Sequence, residues 1–206
     1  HGLPCPWFCT LAPGTAWPAQ IRWPVVAKPR EGVASLDVRY CADAAQLQTY
    51  LDDVWQRDPQ RTVLLESMLE GALFTLETLG DGRRLQAIGG FKVRLSPPPH
   101  FIECEAQWDA NVETPVITQA LQHLRVFGVG LGLCHSEFIL TSDGPVLVEI
   151  NYRSIGDRRE FLLDEMFSRQ WFTAALAPHL GLPLPQLHSA RAHALLRYYV
   201  ATHDGE

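Results

Sequence analysis

His135-Ser136-Glu137-Phe138-Ile139-Leu140-Thr141-Ser142-Asp143-Gly144-Pro145-Val146-Leu147-Val148-Glu149-Ile150-Asn151 reads as two short strands joined by a turn. Ser142-Asp143-Gly144 is a turn signal between two apolar runs, so a hairpin is the natural reading. Side chains alternate faces along a strand, which puts Glu149 and Asn151 on one face and Ile150 on the other. Glu137, on the first limb, falls roughly opposite Glu149 if the turn closes in this way. Two carboxylates and an amide oxygen on one hairpin face form a hard-oxygen set suited to Mg²⁺ with a phosphate. The same pattern also describes an acidic strand face turned to solvent, and the hairpin alone does not separate the two.

Composition narrows the setting. The chain has 206 residues, 19% charged and 47% hydrophobic, which suits one large or two small globular domains and excludes a disordered chain. A net charge of -6 argues against a general nucleic-acid binder, so no nucleic-acid partner is expected. No apolar run is long enough for a bilayer and no signal-peptide pattern opens the chain, so no membrane partner is expected either. Cys5, Cys9, Cys41, Cys104 and Cys134 are odd in number and lack a paired framework, which suggests reduced thiols and a cytoplasmic location.

Outward from the hairpin, the pattern mixes strands and helices without strict alternation, which favours an α+β fold. Residues 1–20, rich in Pro, Gly and Trp, predict an extended entry segment. Strands are predicted at Val25–Lys28, Thr62–Glu66, Leu73–Leu79, Leu85–Val93 and near Arg197–Val200, with helices over Asp43–Trp55 and Pro115–Phe127. A single apolar helix is predicted from Glu160 to Leu180, with Trp171 in its core face and Arg158 and Arg159 at its exposed entry. Ser96-Pro97-Pro98-Pro99-His100 must be a rigid loop, because successive prolines cannot join a ladder. A boundary between residues 80 and 90 divides the chain into a smaller lobe, 1–85, and a larger one, 86–206.

Lys28 ends an apolar strand and precedes the loop Glu31 to Leu36, where an ammonium can meet phosphate oxygens beside backbone N–H groups. A solvated strand-end lysine accounts for the same residues. Glu66-Ser67-Met68-Leu69-Glu70-Gly71 connects two strands and offers backbone donors and acceptors, with Met68 and Leu69 as apolar neighbours, to the edge of a flat ligand.

In this order the elements resemble the ATP-grasp superfamily, from about Pro4 to about Phe161. The resemblance implies two α+β lobes with ATP between them. It also implies Lys28 on the nucleotide phosphates, Glu66, Ser67, Met68 and Leu69 around adenine, and Mg²⁺ held by Glu137, Glu149 and Asn151. Lys92 is expected at the same phosphates. The family's Asn-Pro-Arg ending is here Asn151-Tyr152-Arg153, which keeps the amide and the guanidinium. Arg153 and Lys28 are then the catalytic cations, and His135, Arg153 and His100 the substrate contacts. The stretch Pro99–Glu103 and the loop Asn151–Gly156 look like the carboxylate–amine ligase branch, and the loop is similar to siderophore-assembly ligases of the vibrioferrin type. The implied partners are a small-molecule carboxylate and an amine, with a homodimer compatible with such a chain.

Three departures stand out. Ala72-Leu73 occupies the neighbourhood of the family's ribose-binding acid, and Glu77 is a doubtful replacement. The loop Glu31 to Leu36 is poor in glycine. A further N-terminal domain, usual in the family, is expected to precede this chain. A nucleotide-binding module without turnover and a purely structural α+β domain are the rival readings.

Overall fold

The computed structural model describes residues 2–32, 35–188 and 193–199. Two compact units emerge: one contains Cys5–Leu69 and Leu95–Glu103, the other Glu70–Arg94 and the chain from Cys104 onward.

The first unit is a four-stranded antiparallel sheet with one helix. Its strands are β1 (Phe8–Leu11), β2 (Val25–Pro29), β3 (Arg39–Cys41) and β4 (Val63–Ser67), in the order β1-β4-β2-β3. The predicted extended entry thus contains a paired strand, since Phe8–Leu11 finds a partner in β4 that local composition does not reveal. Helix α1 (Ala44–Arg57) starts where Asp43 accepts a hydrogen bond from the Gln46 N–H, and it buries Leu47, Tyr50, Leu51 and Val54. These meet Val25, Ala27, Val63 and Leu65 from the sheet in one core. The proline-rich loop adds a short edge contact to β3: Arg39 bridges to His100, and the Tyr40 N–H donates to the Pro99 carbonyl. Val33 and Ala34, in the glycine-poor loop, lie outside the described residues, as do Val200 and the residues after it.

The second unit holds a six-stranded sheet built from β5 (Ala72–Asp81), β6 (Leu85–Leu95), β7 (Glu103–Asp109), β8 (Leu131–Thr141), β9 (Gly144–Asn151) and β10 (Leu195–Arg197). The strand order is β10-β7-β6-β5-β8-β9. Helix α2 (Pro115–Val126), capped by Thr114 and begun by Pro115, covers one face. Its Ala120 and Leu124 pack with Leu76, Cys134 and Phe138, and Leu147 and Ile150 close the edge of that cluster.

On the opposite face lie two short helices, α3 (Arg159–Met166) and α4 (Trp171–Leu176), followed by a 3₁₀ turn at Ala177–Leu180. The single helix predicted over this stretch is therefore three pieces. Ser168 and Arg169 adopt left-handed backbone, at φ 55° and 61°, and so break the helical path. Trp171 is fully buried as expected, stacked on Phe167, with its indole N–H donating to the Ser154 hydroxyl. Arg159, expected at the surface, is buried over the Phe91 ring and paired with Asp157.

One irregularity sets the register of the hairpin. Phe138 pairs with Leu147 but Glu137 pairs with Glu149, so Val148 is an extra residue on β9. Leu147 and Ile150 are three residues apart and both face α2, which a regular strand with its period of two cannot allow. The bulge absorbs the odd residue, and Glu149 and Asn151 then fall in step with Glu137 and His135 on the other face.

A tight approach elsewhere fixes β6 against β7. At Gly89, φ is 157°, and a Cβ would lie 2.3 Å from the Trp108 ring and 3.0 Å from the Asp109 carbonyl oxygen. Trp108 is only 1% exposed and cannot swing away. Gly89→Ala should therefore destabilise the protein by about 2 kcal/mol or more, while the exposed Val148→Thr stays within about 0.5 kcal/mol. Urea denaturation of both variants checks this, and equal midpoints would refute it.

Candidate functional site

Strand β5 lies between β6 and β8, and its ladders bring the polar residues of three strands together in rows. In one row Thr75 pairs with Glu137, which pairs with Glu149; in the next Glu77 pairs with His135, which pairs with Asn151. Directly paired residues point to the same face, so all six stand on the face opposite α2. Beside these rows the same face is closed by the cluster of Leu79, Phe91, Leu133, Leu163, Phe167 and Trp171.

Burial grades across the rows. Glu77 is 1% exposed and His135 4%, whereas the Glu137 side chain is one-quarter exposed and Glu149 lies open at the edge strand. The Glu77 carboxylate meets His135 Nδ1 at 2.6 Å, and His135 Nε2 meets Glu137 Oε1 at 3.4 Å. Burial, the largest single influence on His135, disfavours its cation. The hydrogen bonds and charges of Glu137 and Glu77 together outweigh it and push the imidazole up to about 9. Cys134, in the adjacent position of β8, is pushed the other way as a nucleophile: burial raises its thiol to about 11, so it stays protonated.

Sequence reading paired Glu137 with Glu149 and placed Asn151 beside them, and this is the pairing seen. It left Glu77 without a role. The signal was an acid in the apolar run Leu73-Phe74-Thr75-Leu76-Glu77, on the face opposite Phe74 and Leu76. Being buried and bonded to His135, Glu77 is not open to a ribose.

Lys92 is not brought to this group. It pairs with Phe74, whose other neighbour is Phe138 under α2, so it points to the α2 face, where it forms an ion pair with Asp109 at 2.7 Å. That contact holds the Asp109 carboxyl below its ordinary range. Arg153 follows the hairpin; its guanidinium donates to the Ser154 carbonyl, and its own carbonyl accepts from the His135 N–H. Asp157 nearby pairs with Arg159.

The remaining candidates belong to the first unit. Lys28 and Glu66 form an ion pair at 2.5 Å, each about three-quarters buried, on neighbouring strands. In the connector, the Ser67 N–H donates to the Trp7 carbonyl and the Met68 N–H to the Pro24 carbonyl. The donors of those two residues are thus used within the unit, and the edge still to be offered centres on Leu69. His100 is exposed beside β3, where its carbonyl accepts from the Ser96 hydroxyl. Among the described residues no three His, Cys, Asp or Glu side chains converge as a metal cluster. No helix among them is long and apolar enough to cross a membrane.

No protein-family profile matches the chain. Among curated proteins it is 29% identical over 221 residues to the uncharacterized protein y4rH of Sinorhizobium fredii (strain NBRC 101917 / NGR234), covering 99% of this chain and 44% of that protein. It is also 29% identical over 158 residues to dapdiamide A synthase of Enterobacter agglomerans, covering 69% of this chain and 36% of the synthase. The chain thus spans less than half the length of either relative. Among solved structures, the L-amino acid ligase from Bacillus licheniformis superposes with a TM-score of 0.70 at 20% identity, over 85% of this chain and 43% of that one. With its antiparallel sheets and sparse helices, this chain has an α+β ATP-grasp fold.

Proposed function

We propose that this chain is the nucleotide-handling part of an ATP-dependent ligase that joins a carboxylate to an amine. In this reaction the carboxylate takes the γ-phosphoryl group to become an acyl phosphate, ADP leaves, and the amine displaces phosphate to form an amide. The observation that carries the reading is the row of Glu137 and Glu149 with Asn151 beside it, set by the bulge on the sheet face opposite α2. Like charges directly opposite in a sheet are destabilising unless something compensates. Two carboxylates and an amide fit Mg²⁺, which is commonly held by one or two carboxylates with substrate phosphates and water completing its shell. When bound there, the ion would neutralise phosphate charge.

The chain's own residues do the rest. Lys28 offers its ammonium to phosphate oxygens, with Glu66 holding the side chain in place beforehand. In the connector from Glu66 to Leu69, whose Ser67 and Met68 donors are used within the unit, the backbone at Leu69 faces the edge of the adenine. Arg153, exposed beside Asn151, offers a fork suited to a carboxylate or a transferring phosphoryl group. Such catalysis is positioning and electrostatics, with no protein nucleophile. The names of dapdiamide A synthase and the L-amino acid ligase support the carboxylate–amine class. Within that class, the loop Asn151–Gly156 favours a polycarboxylate acid of the kind used in siderophore assembly.

ATP should bind appreciably only with Mg²⁺ present, because a bare triphosphate is repelled by Glu137 and Glu149. Calorimetric titration with and without the ion tests this, and equal affinities would remove the metal assignment. Lys28→Ala should weaken nucleotide binding about ten- to hundredfold, the equivalent of roughly 1.5–3 kcal/mol for a charge-assisted hydrogen bond. Unaltered affinity in the folded variant would return Lys28 to the role of a strand-end ion pair with Glu66. With ATP, Mg²⁺, a polycarboxylate and hydroxylamine, the full-length protein should yield ADP and a hydroxamate, and Glu149→Gln should suppress both. Release of AMP instead would overturn the acyl-phosphate route.

A further inference from the structure

Glu77 is the deepest carboxylate in this molecule's polar rows, and the fold alone does not account for it. It lies on a central strand, 1% exposed, and continues a face whose core is aromatic and aliphatic. A buried ionic pair at such a place is often no more stabilising than apolar side chains of the same volume. Its surroundings nevertheless hold it in one orientation. The Phe91 N–H donates to the Thr75 hydroxyl at 3.0 Å, and that hydroxyl faces Glu77 Oε1 at 3.4 Å. The same Oε1 meets His135 Nδ1 at 2.6 Å, and His135 Nε2 reaches Glu137 Oε1 at 3.4 Å. A chain of contacts therefore crosses β6, β5 and β8 and ends on the first carboxylate of the hairpin.

We propose that Glu77 is a positioning residue: by accepting a hydrogen bond from His135 Nδ1–H, it locks the ring so that Nε2–H donates to one oxygen of Glu137, leaving the other for a cation. This rests on the assignment of Glu137 to Mg²⁺ above. Outer partners of this kind orient metal-binding carboxylates, and their loss typically costs about ten- to hundredfold in metal affinity. His135 acts here as a rigid spacer between two acids, so its place is set by Glu77 as much as by its own strand. Glu77, which the hairpin sequence does not include, thereby becomes part of the cation site.

The test compares full-length wild type with Glu77→Leu, Glu77→Gln, His135→Phe and the double variant Glu77→Leu/His135→Phe. Calorimetry of ATP binding over a Mg²⁺ series gives the half-saturating Mg²⁺ concentration. Glu77→Leu should raise it about tenfold, and Glu77→Gln, whose amide oxygen still accepts from Nδ1–H, should restore most of the loss. On the His135→Phe background, Glu77→Leu should add nothing, since the two act as one unit. An unchanged half-saturation in Glu77→Leu, or additive effects in the double variant, would overturn the proposal. A second readout needs neither metal nor a variant: nitrogen-15 NMR of the wild type should show protons on both Nδ1 and Nε2 of His135. Either nitrogen without a proton refutes the arrangement even if Glu77→Leu does not fold. If wild-type ATP binding is indifferent to Mg²⁺, the metal assignment fails and this proposal with it. If wild type depends on Mg²⁺ and Glu77→Leu matches it, only this proposal fails.

Discussion

A β-strand has two faces, and β9 must bury Leu147 and Ile150 on the same one although they stand three residues apart. The extra residue at Val148 resolves that conflict, and the geometry of the acidic row follows from it. Without the bulge, Glu149 would fall opposite Ser136, on the face packed by α2, and Ile150 would sit beside the polar rows. Apolar packing under α2 therefore decides where the carboxylates point. The hydrophobic demand of one face places the charge of the other.

The second unit separates its two kinds of work by face. Its α2 side is an ordinary core of aliphatic side chains around Phe138, with Phe74 stacked on it at 5.4 Å. The other side combines a dry cluster around Trp108 and Trp171 with the polar rows. Burying His135 between Glu77 and Glu137 couples these regions, because the imidazole is nearly enclosed while Glu137 is partly open. Charge placed so deep is costly unless paired, and each member of this series has a partner. Lys92 and Asp109 on the far face show the contrast: an exposed pair that can be screened and loosened.

Much of this was legible in the residues. Turn chemistry at Ser142-Asp143-Gly144, the Asp43 and Thr114 caps and the amphipathic spacing of α1 and α2 are local signals, and each element formed where they point. Strands β1 and β3 were not legible as such, because the partner of β1 lies far away in sequence and β3 is only three residues long. Strand β7, by contrast, carries a polar–apolar alternation from Glu103 to Asp109 that could have been read. The break at Ser168-Arg169 was hidden for a different reason: both residues tolerate a helix, and tertiary packing imposes their left-handed backbone. The bulge could have been read by arithmetic. A turn that pairs Thr141 with Gly144 pairs Glu137 with Val148 in a regular ladder, so a shared row for Glu137 and Glu149 needs one extra residue between them. Glu77 escaped because its meaning depends on β5 lying beside β8, a placement that no local pattern carries.

The excursion of Leu95–Glu103 gives the chain a topology with its own consequence. The polypeptide leaves the first unit after Leu69, builds two strands of the second, returns for nine residues, and leaves again. During that return, Pro99 and His100 cover the otherwise open edge of β3, the kind of edge that invites pairing with foreign chains. As synthesis proceeds from the N-terminus, the small sheet emerges with this edge bare and stays so until the β5–β6 hairpin has followed it. Neither unit can be excised as one uninterrupted segment. A cut between Leu69 and Glu70, which looks like a natural place to divide the protein, would release a sheet stripped of its edge cover.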